Sequence, residues 1–468
     1  MASSNILKAG AGRGIIHFTP DIMPCSKRET YDRILDEPCI RIVLFDSGER
    51  FAFVAVELAN MDMEVQASIL DLIQKKGGVP ADHIFFHLNH VHSTPHGWPP
   101  FGRDKLPQEE LKKISPFYAA ITDAAEDALS QALAGMREAV VGVGHGECRS
   151  CVVNRNVLTD EGWWLGSGES GPRDASIGIL RLDDLQGQTI AILYVYNLVP
   201  SIFDYSTRDF EEGLTRTVSA DIAGYASAYI EEEFPGAVAV YCTGAAGDTW
   251  PSFTAMYNLV GRGGRLRTKD LGDRAFVLGE LLGERLGQQT VIAADGITCE
   301  PLDGPIRITF DTVSFEGRNE ESAVHEMRPR KQMECSSCGE ERTMEIPFFF
   351  IGNKAVFIGL HCQVGVRTVM RVQDASPLGV TGLLSFSTVG MEAPPKGPGG
   401  PGPGQGPGKP GNGPDKGPGH SKGPSGVRKY MPERDAYERV EYCAQNSVVM
   451  PGSAEKLGDR LIEYLSDQ

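Results

Sequence analysis

An α/β fold, with mixed β-sheets flanked by helices, is what the sequence predicts, and three observations carry that reading. Short runs rich in Val, Ile, Phe and Leu alternate along the chain with longer stretches whose apolar residues recur at helical spacing. The alternation is laid down twice, once up to Leu133 and again from Ile177. In addition, 41% of the 468 residues are hydrophobic, enough to bury a sizeable core, because the buried share of the surface rises with chain length.

The elements follow in order. "CIRIVLFDSG" and "RFAFVAVEL" read as two β runs joined at Ser47-Gly48, and "MEVQASILDLIQKKGG" has helical apolar spacing and a glycine stop. "HIFFHLNH" reads as a buried strand, and "SPFYAAITDAAEDALSQAL" as a long amphipathic helix opening on Ser115-Pro116. In the second unit "IGILRLDD" and "QTIAILYVYNLV" are strands, "TVSADIAGYASAYIEEEF" is a helix, and "AVAVYCTGAAGDTWP" is a strand running into a glycine-rich loop. A helix over "DRAFVLGELLGERLGQQTV" precedes two β runs in "IPFFFIGNKAVFIGL", joined at Gly352-Asn353, and a further strand in "GVTGLLSF". The terminal helix is "SAEKLGDRLIEYLSDQ". In such sheets, ligands sit just past the carboxyl ends of strands.

One segment differs in kind. From Pro394 to Gly426 the chain is dominated by glycine and proline, with almost no apolar side chain to bury, so disorder is expected there. Its glycine spacing is too irregular for collagen. The expected organisation is one domain over 1–393, this insertion over 394–426, and completion of the same domain over 427–468. The insertion is locally basic in an acidic protein, which makes it a tolerated surface loop or a contact for a protein partner.

A formal charge of −17 spread along the chain repels phosphate backbones and anionic lipid, so nucleic acid is not an expected partner. The start "MASSNILKAGAGRG" lacks the apolar core of a signal peptide, and no run of apolar residues long enough to span a bilayer follows. A cytoplasmic location without membrane insertion is expected. Four cysteines form two CxxC pairs, Cys148/Cys151 and Cys335/Cys338, either incidental or the halves of one zinc site. "GRGGRLR" lacks the lysine and strand context of a phosphate loop and reads as a solvated turn. Trp163 and Trp164 either cap a cleft or pack.

The stretch "FFHLNHVHSTPHGW" concentrates four histidines. His90 and His92, two apart, share one face if the strand continues through them, a spacing suited to a metal or to hydrogen-bonded structure. His87 and His96 fit a shared site less well, the first by its odd spacing and the second by its place in the proline loop.

The order of landmarks resembles the amino-terminal domain of the neutral/alkaline non-lysosomal ceramidases. "AGAGRGIIHFTPD" is similar to that family's opening strand, "NHVHSTPHG" to its histidine loop, and "VNRN" to its Asn-Arg motif. "GYASAYIEEEF" matches its GYA helix, "GAAGDTWP" its Gly-Asp loop, and "YMPERDAYERVEY" a late segment. No counterpart of the family's carboxyl-terminal immunoglobulin-like domain is expected within these residues. The resemblance implies amide hydrolysis at a zinc held by two histidines, a glutamate and a tyrosine. The first histidine falls within the His90/His92 pair and the motif arginine on Arg155. Pro200 stands where the second histidine belongs, Gln363 where the glutamate belongs, Trp250 in place of the loop serine, and Phe386 and Ser387 in the tyrosine region. Proline has no donor for zinc, and an amide binds it far more weakly than a carboxylate.

Two readings follow. In the first, a divergent hydrolase keeps a remodelled metal site, with zinc as the candidate ion on His90, His92 and Glu57, and with His361 or Cys362 as further candidates. Arg155 and Asp248 would be its catalytic residues, and Asn154, Trp250 and Gln363 would bind a soluble amide or peptide rather than ceramide. In the second, the chain is a non-catalytic relative that uses the cleft to bind a partner.

Overall fold

A computed structural model of the chain describes residues 6–19, 22, 30–95, 108–203, 215–319, 328–390 and 429–468. His96 and the Gly/Pro-rich segment 394–426 lie outside the described residues.

Three alternate glycines decide how the first strand meets its helix. Strand Lys8–Ile15 carries Gly10, Gly12 and Gly14 on one face, and a Cβ at these positions would lie 2.2, 2.0 and 1.8 Å from the backbone oxygens of Ala132, Ala128 and Ala124. Only hydrogen at those places lets helix Gln108–Ala134 rest its backbone on the sheet. The "GAGRG" stretch is thus a packing device. Gly12→Val is expected to destabilise the protein by about 3 kcal/mol, the upper end of overpacking penalties, lowering the urea midpoint at unchanged m-value.

The helix itself begins at Gln108, earlier than its sequence suggested, with Pro116 inside it. A proline there has no N–H to give the preceding turn and costs roughly 3 kcal/mol. Burial of Ile114, Phe117, Tyr118, Ile121, Ala125 and Leu129 against the sheet offsets that cost.

Strand Lys8–Ile15 belongs to a nine-stranded sheet. Its order is Val238–Thr243, Thr189–Tyr196, Ser176–Asp184, Arg137–Glu147, Lys8–Ile15, Cys39–Asp46, Arg50–Val56, Ile84–Leu88 and Ser387–Val389. Most neighbours are antiparallel, while Arg50–Val56 with Ile84–Leu88 and Thr189–Tyr196 with Val238–Thr243 are parallel, so the sheet is mixed. Helices Met63–Leu72 and Gln108–Ala134 cover one half of its outer face, and helices Asp221–Glu233 and Ala275–Asp295 cover the other half.

The inner face packs on a second, four-stranded sheet ordered Ile306–Arg318, Ser337–Ile351, Ala355–Leu360 and Val380–Ser385. Phe53 and Phe85 of the large sheet stack with Phe349, and Phe53 tilts against Phe357 at 5.3 Å, which binds the two sheets through aromatic contact. Helices Val366–Ala375 and Ser453–Ser466 close the far side of the small sheet. Helix, sheet, sheet and helix therefore form four layers, each apolar face covered by the next. No described helix is long and apolar enough to cross a membrane.

Strands buried on both faces were legible as continuous apolar runs, whereas Arg137–Glu147 and most of Ile306–Arg318 and Ser337–Ile351 were not. Their alternating exposed residues, such as Glu341, Thr343 and Glu345, break the apolar run. "GRGGRLR" forms a tight exposed turn, Arg262–Gly264, between the short paired strands Met256–Val260 and Leu266–Asp270.

Candidate functional site

Two polar clusters lie past strand ends, joined by the chain from Thr243 to Trp250. The first is the histidine cluster. Strand Ile84–Leu88 stops before His90, so the shared strand face expected for His90 and His92 does not exist. A left-handed backbone at His90, φ 46°, brings the two rings together instead, with centroids 4.8 Å apart. Phe386, also left-handed at φ 55°, stacks on the His90 ring at 4.0 Å. Two non-glycine residues held in this sparsely populated region against each other mark a place where packing over-determines the backbone. The His90 Nδ1 lies 2.7 Å from the Ala59 carbonyl, and because a carbonyl only accepts, Nδ1 carries the hydrogen. The His92 N–H donates to Pro200 O at 2.8 Å, so Pro200 sits beside the pair.

His87 is structural. It is fully buried, its Nε2 accepts the Thr243 N–H at 3.0 Å and its Nδ1 faces Ser387 Oγ at 2.8 Å, and burial pushes its pKa down to about 3. It stays neutral.

Glu57 does not join the histidines. One carboxylate oxygen takes Arg41 Nη1 and the other accepts the Cys39 N–H at 2.8 Å, with both side chains buried, so the sequence assignment of Glu57 as a metal ligand is corrected. Strand alternation puts the carboxylate on the same face as Ala55, whose cross-strand partner is Arg41, so it reaches Arg41 diagonally rather than turning toward the loop. Among the described residues no group of three His, Cys, Asp or Glu is arranged to hold a metal ion. Among the described residues Pro200, Gln363 and Phe386 supply no donor set that fits zinc beside the two histidines.

The cysteine pairs also stay apart. Cys148 and Cys151 pack beside Tyr196 and the helix Ala275–Asp295, while Cys335 packs with Tyr437 and Cys443.

The second cluster is built around Arg155. Strand Val152–Thr159 shifts register between Asn154 and Asn156 against strand Gly162–Gly168, and the Asn154 Oδ1 accepts the Asn156 N–H at 2.9 Å. This bulge re-aims Arg155. Asn154 is tied down further by donating from Nδ2 to Pro172 O at 2.9 Å, which makes it a positioning residue and not the substrate contact expected.

The Arg155 side chain is buried, with its guanidinium carbon 4.9, 5.0 and 5.6 Å from the ring centroids of Tyr430, Tyr442 and Trp250. Those rings come from three places. Trp250 is carried by strand Thr249–Pro251, which pairs with Val152–Thr159, and Tyr430 by strand Lys429–Met431, paired with Cys362–Val364 so that Tyr430 faces Gln363. Trp164 meets Tyr442 edge-on at 5.8 Å, so of the two tryptophans this one packs against the cage. Within the described residues Arg155 Nε and Nη2 are buried without hydrogen-bond partners, as is the Gln363 Oε1. An orphaned buried guanidinium donor is costly, about 1–3 kcal/mol or more, unless something else completes it.

Carboxylates surround the cage. Asp248 accepts the Arg155 N–H on its backbone oxygen at 2.9 Å, and its Oδ1 accepts Val366 N–H at 2.8 Å, at the start of helix Val366–Ala375. Glu433 accepts Thr368 N–H in the same first turn, and Glu441 accepts Asn156 Nδ2 at 2.9 Å. Burial, reinforced by Glu433 and Glu441, pushes Asp248 up to about 8 against the opposing pull of the Val366 N–H and of Arg155. Tyr430, Glu433, Glu441 and Tyr442 were not singled out from the sequence, although "YMPERDAYERVEY" carried all four.

Four stacked layers, with two polar clusters past the strand ends, define an α/β scaffold of mixed sheets flanked by helices. In particular, the fold is that of neutral ceramidase. The chain superposes on the crystal structure of neutral ceramidase from Pseudomonas aeruginosa with a TM-score of 0.65 and 16% identity, covering 98% of this chain and 74% of that one. A solved structure described as ceramidase complexed with C2 gives 0.64 and 15% over the same shares. At the level of sequence, no protein-family model and no curated protein matches the chain.

Proposed function

We propose that this protein uses a ceramidase fold to bind a soluble, carboxylate-bearing amide or peptide around Arg155, as a non-catalytic member of that structural class. The observation that carries the reading is the guanidinium caged by Trp250, Tyr430 and Tyr442 with Nε and Nη2 left without partners. A carboxylate accepts two parallel N–H bonds from that fork, and the flat rings favour a planar ligand group over the cage. Gln363 Oε1 offers an acceptor for an amide N–H of the same ligand.

The test is calorimetric titration with N-acyl amino acids and, in parallel, with their carboxamides. The acids should bind at least about tenfold more tightly, since a charge-assisted bidentate pair contributes more than a neutral one. Equal affinity for acid and carboxamide sinks the reading.

Asp248 favours a second reading, hydrolysis. A carboxyl group held at about 8 is largely protonated at neutral pH and can serve as a general acid. Release of free amino acid from the same ligands, abolished in Asp248→Asn, would move the protein from binder to hydrolase.

A further inference from the structure

We propose that Cys148 and Cys151 form a reversible disulfide that couples peroxide exposure to the geometry of the arginine cage. Their Sγ atoms lie 3.3 Å apart across a turn that links strand Arg137–Glu147 to strand Val152–Thr159. No other described cysteine joins them, so the pair has no metal-binding complement.

The turn is fastened to both strands that build the cage. Cys151 directly precedes Val152, at the root of the strand that carries Arg155. The Cys151 carbonyl accepts the Ser252 N–H at 2.9 Å, and Ser252 Oγ donates to Ser150 O at 2.7 Å, next to the strand that carries Trp250. A covalent bond needs the sulfurs at about 2.05 Å, so closing it draws the turn in by more than an ångström. That displacement has two hydrogen bonds through which to reach Trp250.

The chemistry is asymmetric. The neighbouring Cys151 thiol, helped by the Ser150 hydroxyl and by backbone N–H groups, holds Cys148 down at about 7 despite its burial, while Cys151 is pushed up by the same hydrogen bond and by burial. The Cys148 thiolate attacks hydrogen peroxide, taking one oxygen as a sulfenic acid and releasing water after proton transfer. The Cys151 sulfur then attacks the sulfenic sulfur, forming the S–S bond and expelling a second water. Two thiols and one peroxide give one disulfide and two waters. Cys148 and Cys151 are themselves buried, but Arg149 between them is exposed, so the turn lies at the surface and an oxidant reaches the thiols by a local opening of that turn.

The inference stands apart from the ligand assigned to the cleft, because its readouts need none. The full chain is treated with equimolar hydrogen peroxide, alkylated and mapped by peptide mass, and the amide hydrogen exchange of the oxidised and reduced forms is compared. The expected result is a Cys148–Cys151 disulfide reversed by dithiothreitol, with exchange at Val153 and Ser252 changed by about tenfold. Cys151→Ser should instead accumulate Cys148 sulfinic acid, since no resolving thiol remains. Both thiols staying alkylatable in the wild type, or over-oxidation without a disulfide, overturns the proposal. A disulfide that leaves exchange in both strands unchanged overturns the coupling.

Discussion

Replacing Arg155 with methionine should raise the stability of the ligand-free protein by about 1–2 kcal/mol while removing carboxylate binding. The sign is unusual and comes from the orphaned donors. Among the described residues Arg155 Nε and Nη2 are buried and without partners, so the folded state carries a desolvated charge that the unfolded state gives back to water. Methionine has similar length and fills the same space among the rings, giving up the guanidinium contact with Tyr430. The lost cation–π contacts, each about 2 kcal/mol at a desolvated site, oppose the gain, so the net rise is the small remainder. A structural arginine differs at its outer nitrogens: Arg318, also buried and with its own Nε unpartnered among the described residues, donates from Nη1 and Nη2 to Ala444 O, Ser447 O and Glu334 O, and its replacement should strip three carbonyls at once. Urea midpoints for Arg155→Met and Arg318→Met, paired with titration of an N-acyl amino acid, separate the two roles. A fall of several kcal/mol for Arg155→Met would make its cage a packing element and end the binding proposal.

The contrast between those arginines also shows what the sequence could and could not disclose. Strand Val152–Thr159 was not singled out in the sequence beyond its "VNRN" motif, and the bulge at Arg155 depends on a register set by the neighbouring strand Gly162–Gly168. The aromatic cage joins Trp250 to the distant Tyr430 and Tyr442: Trp250 and Tyr430 sit on strands that pair over three residues each, and Tyr442 opens the short helix Tyr442–Gln445. Such brief elements leave no periodicity to read. The histidine pair was visible by spacing, yet its geometry arises from a positive φ at His90, which histidine adopts rarely and nothing local requires. Glu57 failed as a ligand for a related reason. The pattern of strand Arg50–Val56 fixed the buried register, but the partner of a buried carboxylate is chosen across the sheet, where Arg41 stands. The layered α/β architecture was legible because it rests on apolar runs and helical spacing, which are local. The cleft was legible only through the order of its motifs.

Asp248→Asn should remove much of the fall in stability that the wild-type protein shows as pH rises from about 4 to about 8. In the folded protein burial and the neighbouring Glu433 and Glu441 carboxylates raise this group from an ordinary 3.8 to about 8, so across that window the folded state holds a proton that the unfolded state has released. Stability from the protonated carboxyl is complete below the unfolded value and is lost progressively as pH climbs to the folded one. Asparagine keeps an oxygen able to accept the Val366 N–H and never ionises, so its advantage over wild type should be small at pH 4 and reach roughly 3 kcal/mol or more by pH 8. Asp36, raised by burial to about 6, contributes a similar decline that ends lower on the pH scale. Cys148, held at about 7, acts in the opposite direction above that pH. Both are common to the two proteins, so the difference between their urea-derived stability curves isolates position 248. Parallel curves from pH 4 to 8 would show that Asp248 is charged throughout. The carboxyl could then neither act as an acid toward an amide nor sit beside Arg155 as a neutral group, leaving the guanidinium free for a ligand's own carboxylate.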